Sequence, residues 1–357
     1  MKYQLSILKY HLPNFSLFLT SNKITMKKYA CLLVFALLLN GCDDGDLTVD
    51  TIDFDDPTIA SQTCNTLTNS LIYRLKSQES LLIQLPDNKI INDVTLPGAP
   101  VTYDIDNNLY RVVYRAYNGK VETANICGSI PPTSPSVTEE WQAKSGKIVI
   151  NTAQIEVTDE TTGSSKVTGY NHNIVFNNIT FAKPSGIDQV NAEFDFGNFT
   201  TTVTPVVVDF SAQTAQYCPD QNKVYIENTT SSLVLESLSD NIIENVDTPT
   251  GQPRESLINL NSLNNKLYYR TYAGVLPVNA STYFCTNQTP ASPAILDTWF
   301  GKDGQANVSG IIQVTTTSSL KVFKHTIVLK KATLQKGNTT FKLGDNFVLG
   351  TVTVVVP

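Results

Sequence analysis

Basic residues are scarce in this chain of 357 residues, which has 26 Lys and Arg against 32 Asp and Glu and a net charge of −6. The first 41 residues contain five of the lysines and no acidic residue, so the remainder has a net charge of about −11. Nucleic acids and anionic lipid surfaces bind proteins through concentrated positive charge. We therefore predict that neither is a partner of this chain.

The residue types that most often carry catalysis are also few, with three His and six Cys in the whole chain. Only His172 and His325 lie beyond residue 41, and neither has an HExxH motif, a CxxC motif or another histidine nearby. The chain contains no GxSxG elbow, phosphate loop or dinucleotide fingerprint. We predict structural histidines, no catalytic residue, no metal site and no cofactor. Paired carboxylates from distant strands leave no local motif, so a hydrolase remains the alternative.

No apolar run is long enough to span a membrane. The longest covers residues 29–39, which as a helix would rise about 17 Å against the ~30 Å of a hydrocarbon core. Two lysines precede the run, directly after Met26, and Cys42 follows it closely. This order is typical of an export signal. We predict a signal region over residues 1–41, with translation starting at Met26.

The sequence Leu39-Asn40-Gly41-Cys42 resembles the lipobox of bacterial lipoproteins. The resemblance implies cleavage before Cys42, attachment of a diacylglycerol to its thiol, and a partnership with the membrane through this lipid. It covers about twenty residues, and the body beyond it is not recognised. An ordinary secretory signal with a chance cysteine is the alternative reading.

Seven aspartates follow Cys42 within fifteen residues. Their mutual repulsion and the shortage of apolar residues predict an extended, disordered tether over residues 42–57. Acidic residues directly after the cysteine also resemble the surface-export signal of Bacteroidetes lipoproteins. That resemblance implies the outer leaflet of the outer membrane and exposure at the cell surface, with the periplasmic face as the alternative.

The remaining sequence is one unit written twice. Matching segments recur in the same order at offsets between 152 and 158 residues, and they include every His, every Trp and every Cys beyond Cys42. A period of this length is too long for a solenoid repeat, so each unit is a domain. We predict a first domain over residues 58–209 and a second over residues 210–357, each an independent folding unit.

Short segments rich in Val, Ile, Thr, Tyr and Phe alternate with turn signals in both domains. In the first domain they are residues 71–75, 80–85, 109–117, 147–157, 173–181 and 194–203. Ser134-Pro135 and Ser292-Pro293 have the form of helix starts, with Trp141 and Trp299 at the far ends. The sequence predicts an all-β chain of two tandem antiparallel domains, each a sandwich or partly open barrel with one short helix.

Four cysteines remain after Cys42, and an even number in an exported chain indicates disulfides. The duplicated unit must have carried its own bridge, which predicts Cys64 with Cys127 and Cys218 with Cys285. Each would close a loop of about 60 residues and contribute roughly 4 kcal/mol in the chain-entropy model.

Arg115 and Arg270 occupy corresponding strand positions between tyrosines. A partly buried guanidinium needs a carboxylate, and the acids that correspond between the predicted helices are Glu139 and Asp297. We predict the ion pairs Arg115–Glu139 and Arg270–Asp297. We also expect both tryptophans in the core rather than as sugar-stacking platforms.

Three functional classes fit these features: a binding or adhesion lipoprotein, a glycan-active hydrolase, and a purely structural envelope protein. Tandem β domains on an acidic tether look, in architecture alone, like the glycan-binding lipoproteins that accompany outer-membrane polysaccharide importers. The acids do not repeat well between the domains, since Glu140 matches Thr298 and Glu156 matches Gln313. We favour a non-catalytic binding or adhesion role with an unknown glycan or protein ligand, rather than an enzyme.

Overall fold

A computed structural model describes residues 51–211 and 213–357. The predicted signal region, Cys42 and the first part of the predicted tether lie outside the described residues. Residues 53–357 form one compact unit. Within the described part of the chain, no helix is long and apolar enough to cross a membrane.

The two repeated halves are called copy 1 (residues 53–205) and copy 2 (residues 206–357). Copy 1 contains β1 (Gln62–Thr63), β2 (Leu71–Leu75), β3 (Glu79–Gln84), β4 (Val101–Asp104), β5 (Arg111–Tyr117), α1 (Thr123–Cys127), β6 (Val137–Thr158), β7 (Ser165–Ala182) and β8 (Gln189–Thr202). Copy 2 contains β9 (Gln216–Cys218), a 3-10 turn (Pro219–Gln221), β10 (Lys223–Glu227), β11 (Ser231–Glu236), β12 (Arg254–Leu257), β13 (Lys266–Tyr272), α2 (Ser281–Phe284), β14 (Ile295–Gly301), β15 (Ile311–Ser319), β16 (Val322–Lys336) and β17 (Thr339–Val355).

Each copy is built on one antiparallel sheet. In copy 1 the order is β1-β2-β3-β5-β6-β7-β8, with β4 also paired to β6, and this sheet curls into a half-barrel. In copy 2 the order is β9-β10-β11-β13-β14-β16-β15-β12, with β17 paired to β16. The prediction of an all-β chain with two antiparallel domains is confirmed.

The long strand β6 pairs with two different strands along one of its edges. Its first part pairs with β5 and its later part with β4, and register shifts around Ser145 separate the two. Gly146 lies at this bend with a φ of +131°, and a Cβ there would sit 2.8 Å from the Cα of Ile179. Only glycine fits such a position. Copy 2 interrupts the same path, so that β14 and β15 are separate strands.

A segment at the start of each copy packs under its sheet, and we call these segments strap 1 (residues 53–59) and strap 2 (residues 206–211 and 213–215). Phe54 is fully buried and meets the ring of Tyr114 edge-on at 6.5 Å. Phe210 is buried too and meets Tyr269 edge-on at the same 6.5 Å. Residues 53–57 are therefore part of the body. Their assignment to a disordered tether was wrong, because Phe54 supplies a buried anchor.

Each copy has one short α-helix, but not where we predicted it. Residues 137–142 pair with β5 and residues 295–300 pair with β13, so the segments after Ser134-Pro135 and Ser292-Pro293 are strands. The helices lie upstream, at α1 and α2. The strand hydrogen bonds and the burial of the two tryptophans outweigh the local helix-capping signals, because tertiary context often overrides propensity.

The two copies share part of one hydrophobic core, which bears on our prediction of separate folding units. The main core cluster of copy 2 contains Val167 and Tyr170 of copy 1, together with Trp299, Phe341 and Leu343. Val203 and Val206, where the chain passes from one copy to the other, pack against the same cluster. One hydrophobic core thus extends from copy 2 across the boundary.

Candidate functional site

Both predicted disulfides are present within their own copies. The Cα atoms of Cys64 and Cys127 are 5.3 Å apart, as are those of Cys218 and Cys285. Cys64 directly follows β1 and Cys218 ends β9, and each bridge joins this region to the C-terminal end of the helix in the same copy. Each bridge therefore stabilises the framework of its own copy.

The predicted partners of the two arginines were wrong. The Nε of Arg115 lies 2.8 Å from Oε2 of Glu140, its partner across the ladder, while Glu139 projects on the other side of the strand. This follows from the two-residue period of a strand, which replaces the helical spacing that we assumed. Burial raises the pKa of Glu140, but hydrogen bonds from Gln142 and Arg115 outweigh it and leave this pKa below its ordinary value.

In copy 2, Arg270 pairs instead with Glu236 on the neighbouring strand β11, with Nη1 and Oε1 2.9 Å apart. Asp297 pairs with Lys336, whose Nζ lies 2.7 Å from Oδ1. The predicted contact of Arg270 with Asp297 is therefore absent. The strand neighbour of Arg270 offers a longer acid on the same face, and Asp297 turns towards the β16–β17 hairpin.

The two histidines are fully buried and hydrogen-bonded. Nδ1 of His172 lies 2.9 Å from Thr152 Oγ1, and Nε2 lies 3.0 Å from Thr201 Oγ1. Nδ1 of His325 lies 2.9 Å from Thr316 Oγ1, and Nε2 lies 3.1 Å from Asn245 Oδ1. Burial lowers the pKa of His172 to about 4. These contacts fit the predicted structural role.

The two tryptophans are buried, but only one has a polar partner. Nε1 of Trp141 donates a hydrogen bond of 2.9 Å to Oε2 of Glu139. In copy 2 the corresponding acid is Asp297, which is one methylene shorter, and Nε1 of Trp299 has no acceptor among the described residues. An unpaired buried donor costs about 1–3 kcal/mol. This marks the surroundings of Trp299 as a site where the repeat has diverged.

Trp299 lies where copy 1 meets copy 2, at a contact that we call the joint. The edge strand β17 begins there, and its backbone N–H groups are bonded by copy 1. Asp93 Oδ1 accepts hydrogen bonds of 2.9 Å from the backbone N–H groups of Asn338 and Thr339. Gln154 Oε1 accepts the N–H of Thr340 at 3.0 Å. Copy 1 thus covers an edge that would otherwise be open to pairing with another strand.

The β6–β7 hairpin of copy 1 extends this contact. Thr152 and His172, which pair across the hairpin, are 20 residues apart, whereas Thr316 and His325 in copy 2 are only 9 apart. The additional residues of copy 1 reach β17, where Ser165 Oγ accepts the N–H of Lys342 at 2.9 Å. The longer hairpin therefore belongs to the joint.

Two cavities flank the joint. The first, called the joint cavity, has a volume of about 390 Å³, and the second, next to strap 2, has about 520 Å³. Both volumes lie within the range of about 300–1,000 Å³ that is typical of ligand sites. The joint cavity is lined by side chains of both copies: Asn92, Asp93, Val167, Tyr170, Val203, Thr204, Val206, Asp297, Trp299, Lys336, Thr339 and Phe341.

The joint cavity is lined by both apolar and charged side chains. Valines and the ring of Phe341 supply an apolar wall, and the Asp297–Lys336 pair supplies an acceptor and a donor. The second carboxylate, of Asp93, is already engaged by backbone N–H groups of β17. Apolar walls with a few convergent polar groups are typical of sites that bind small molecules. The arrangement can therefore hold an amphipathic molecule that carries hydroxyl groups.

Sequence reasoning missed the joint cavity, although two signals for it exist in the repeat. Asn92 contacts Thr201, a partner of His172, and Asn245 contacts His325 directly. These equivalent contacts align the two copies at an offset of 153 residues, which places Asp93 opposite Val246. The additional hairpin residues appear in the same alignment as an insertion. In the described part of the chain, no three His, Cys, Asp or Glu side chains group as metal ligands would. No family model, curated protein or solved structure matches the chain.

Proposed function

We propose that this protein is a lipid-anchored envelope protein at the outer membrane, exposed at the cell surface, which binds a ligand without turning it over. The ligand occupies the joint cavity. The observation that carries the proposal is that this cavity exists where the two copies meet, so that neither copy alone could provide it. A neutral sugar unit has the required character, with an apolar ring face and hydroxyl groups around it.

The chemistry of the cavity favours binding over catalysis. Hydrolysis of a glycosidic bond needs an acid and a second carboxylate that are available to the substrate. Asp297 is paired with Lys336, and Asp93 accepts hydrogen bonds from β17. Both groups are well placed to orient a hydroxyl group and poorly placed to exchange protons with it.

The anchor is supported by sequence alone. Cys42 follows a short apolar run, and ten residues separate it from Asp53, where the compact unit begins. Metabolic labelling with an alkyne fatty acid should mark the mature chain and should fail in a Cys42→Ser variant. Digestion of intact cells with an added protease tests surface exposure, and survival of the chain would place it on the periplasmic face.

Binding can be tested with the fluorescence of Trp299. In a Trp141→Phe background the chain has only this tryptophan, so a ligand in the joint cavity should change its emission. Galactose, mannose, N-acetylglucosamine and cellobiose are the probes. We expect a saturable change with at least one of them, and recovery of the probe unaltered.

A pair of rim variants makes the test specific. Thr204 is exposed and lines the joint cavity, while Thr202 is exposed and does not line it. Thr204→Phe should weaken binding at least tenfold, and Thr202→Phe should not. If no probe binds saturably, the proposal is contradicted. Release of products from cellobiose, abolished by replacing Asp93 or Asp297, would instead place the protein among the hydrolases.

A further inference from the structure

The joint is formed by two different surfaces. Copy 2 contributes its β16–β17 turn, and copy 1 contributes a face that includes Asp93, Val167, Tyr170 and Val203. Because the copies are repeats of one fold, each surface has an equivalent in the other copy. Copy 1 has a β7–β8 turn, which we call the outer hairpin (residues 184–190), and copy 2 has the equivalent of the receiving face, which we call the outer face.

The outer face is apolar although it is open to solvent. Tyr170 corresponds to Phe323 and Val203 to Val356, at the same 153-residue offset that relates the two histidines. Asp93 corresponds to Val246, which is 54% exposed. Leu320, at the short β15–β16 turn, corresponds to Val167 and is 97% exposed, and Val356 is 36% exposed. Clustered exposed apolar residues indicate an interaction site more often than chance.

Strand pairing brings most of these residues together. Phe323 of β16 pairs with Val354 of β17, and the backbone N–H of Val356 donates to the carbonyl of Lys321, next to Leu320, so Phe323 and Val356 lie on the same side of the ladder. Val246 is held near them because Thr248 exchanges hydrogen bonds with Thr316, which in turn contacts the buried His325. The outer face is thus a contiguous end of copy 2, far along β16 from the joint.

The outer hairpin shows the matching feature. Ile187 and Val190 are 77% and 69% exposed. Among the described residues β8 pairs with β7 alone, and no strand is paired to its other edge, where Arg74 contacts the carbonyl of Phe196. In the joint, the equivalent strand β17 has its edge covered by copy 1. The exposed Glu193 lies on β8, and the exposed Lys321 and Lys324 lie next to Phe323 at the outer face.

We propose that the outer face binds the outer hairpin of a second copy of this chain. The joint shows the same kind of contact, because a face of this fold there already receives a β-hairpin turn of the same fold. A contact between two different surfaces does not close on itself as a two-fold dimer does, and repetition produces a ring or a filament. Copy 2 lacks the long hairpin and the aspartate of the joint, so the contact between chains is weaker than the joint.

Sedimentation velocity of the chain from Asp43 onward, from about 1 µM to about 1 mM, tests the proposal. Wild type should form species larger than a dimer as the concentration rises. Leu320→Glu removes the outer face and Ile187→Glu removes the outer hairpin, so each variant alone should remain a monomer. Val278→Glu, at a fully exposed apolar position outside both surfaces, should behave as wild type.

Mixing the two defective variants gives the decisive result. The Leu320→Glu chain retains its outer hairpin and the Ile187→Glu chain retains its outer face, so the mixture should form a 1:1 dimer and nothing larger. A wild type that stays monomeric at ~1 mM, single variants that associate as wild type does, or a mixture that stays monomeric would each overturn the proposal.

Discussion

The two copies close their sheets in different ways. In copy 1 the buried Arg74 on β2 donates from Nη1 to the carbonyls of Phe54 and Phe196 at 2.8 and 2.6 Å, which ties strap 1 to both ends of the sheet. In copy 2 the corresponding residue is the buried Ile226, and β17 meets strap 2 directly, with Gly350 against Ala215. The same closure can thus be made with polar contacts or with apolar ones.

The comparison separates what the repeat has kept from what it has changed. The disulfides, the strap phenylalanines and the histidine networks recur in both copies, and all of them stabilise the framework. The differences gather at the joint, where Asp93 replaces valine, Asp297 replaces glutamate and one hairpin is longer. Divergence at one shared contact is what a binding site between the copies requires.

The largest expected effect comes from removing the guanidinium of Arg74. Arg74→Met leaves the carbonyls of Phe54, Asp56, Ile59 and Phe196 without this donor, and we expect a loss of roughly 4 kcal/mol in the free energy of unfolding. The matched change Ile226→Met keeps its apolar volume and should cost less than about 1.5 kcal/mol. Urea unfolding measures both, and equal losses would contradict the comparison.

The histidines predict a dependence of stability on pH. Burial lowers the pKa of His172 to about 4 in the folded chain, against about 6.5 in the unfolded chain. The unfolded chain takes up the proton first, so this contribution is full above about pH 6.5 and is lost as the pH falls towards 4. We expect a loss of about 2–3 kcal/mol between pH 7 and pH 4.5.

A His172→Asn variant isolates this contribution, because the carboxylates that also titrate in this range are unchanged. Its stability should fall less than that of wild type over the same pH interval in urea unfolding. Burial and the charge of Arg254 both lower the pKa of His325, so His325→Asn should have an effect of the same sign. Parallel pH profiles for wild type and His172→Asn would show that His172 is not held neutral.

The joint should depend on Asp93. Asp93→Ala removes the acceptor of the Asn338 and Thr339 N–H groups and of the Thr339 hydroxyl, and we expect a loss of roughly 2 kcal/mol. Val246→Ala changes the equivalent position of copy 2, where no copy is bound, and should change stability by less than about 0.5 kcal/mol. Thermal unfolding compares the midpoint temperatures of the two variants. Similar shifts in the midpoint would show that the contacts of Asp93 do not stabilise the joint.

The smallest effect concerns the tryptophan partners. Asp297→Glu restores the side-chain length that lets Glu139 bond Trp141, so it should satisfy Trp299 Nε1 and add about 1 kcal/mol. Glu139→Asp makes the reverse change in copy 1 and should cost about as much. Urea unfolding should show changes of opposite sign in the free energy of unfolding of the two variants. If both variants are destabilised, aspartate at position 297 already fits its surroundings better than glutamate does.

Much of the framework could be predicted because its signals are local. The segment 71–75 is a strand with those bounds, and the duplicated cysteines gave the disulfide pairing. The predictions of the helix and of the ion pairs were wrong for the same reason, because placing Glu139 on a helix assigned the wrong acid to Arg115. The straps were missed because an Asp-Phe pair, at residues 53–54 and 209–210, is too short to stand out. The joint depends on residues far apart in sequence, so no local pattern could show it.

The central claim is that the two copies form one body whose joint is part of its core. Each copy contains one tryptophan, so Trp141→Phe and Trp299→Phe variants report on copy 2 and copy 1 separately. In each variant, urea unfolding is followed by tryptophan fluorescence and by circular dichroism of the same sample. The account predicts that the two signals change in one shared transition in both variants. A fluorescence transition of either copy that is separated from a second transition in circular dichroism would contradict it.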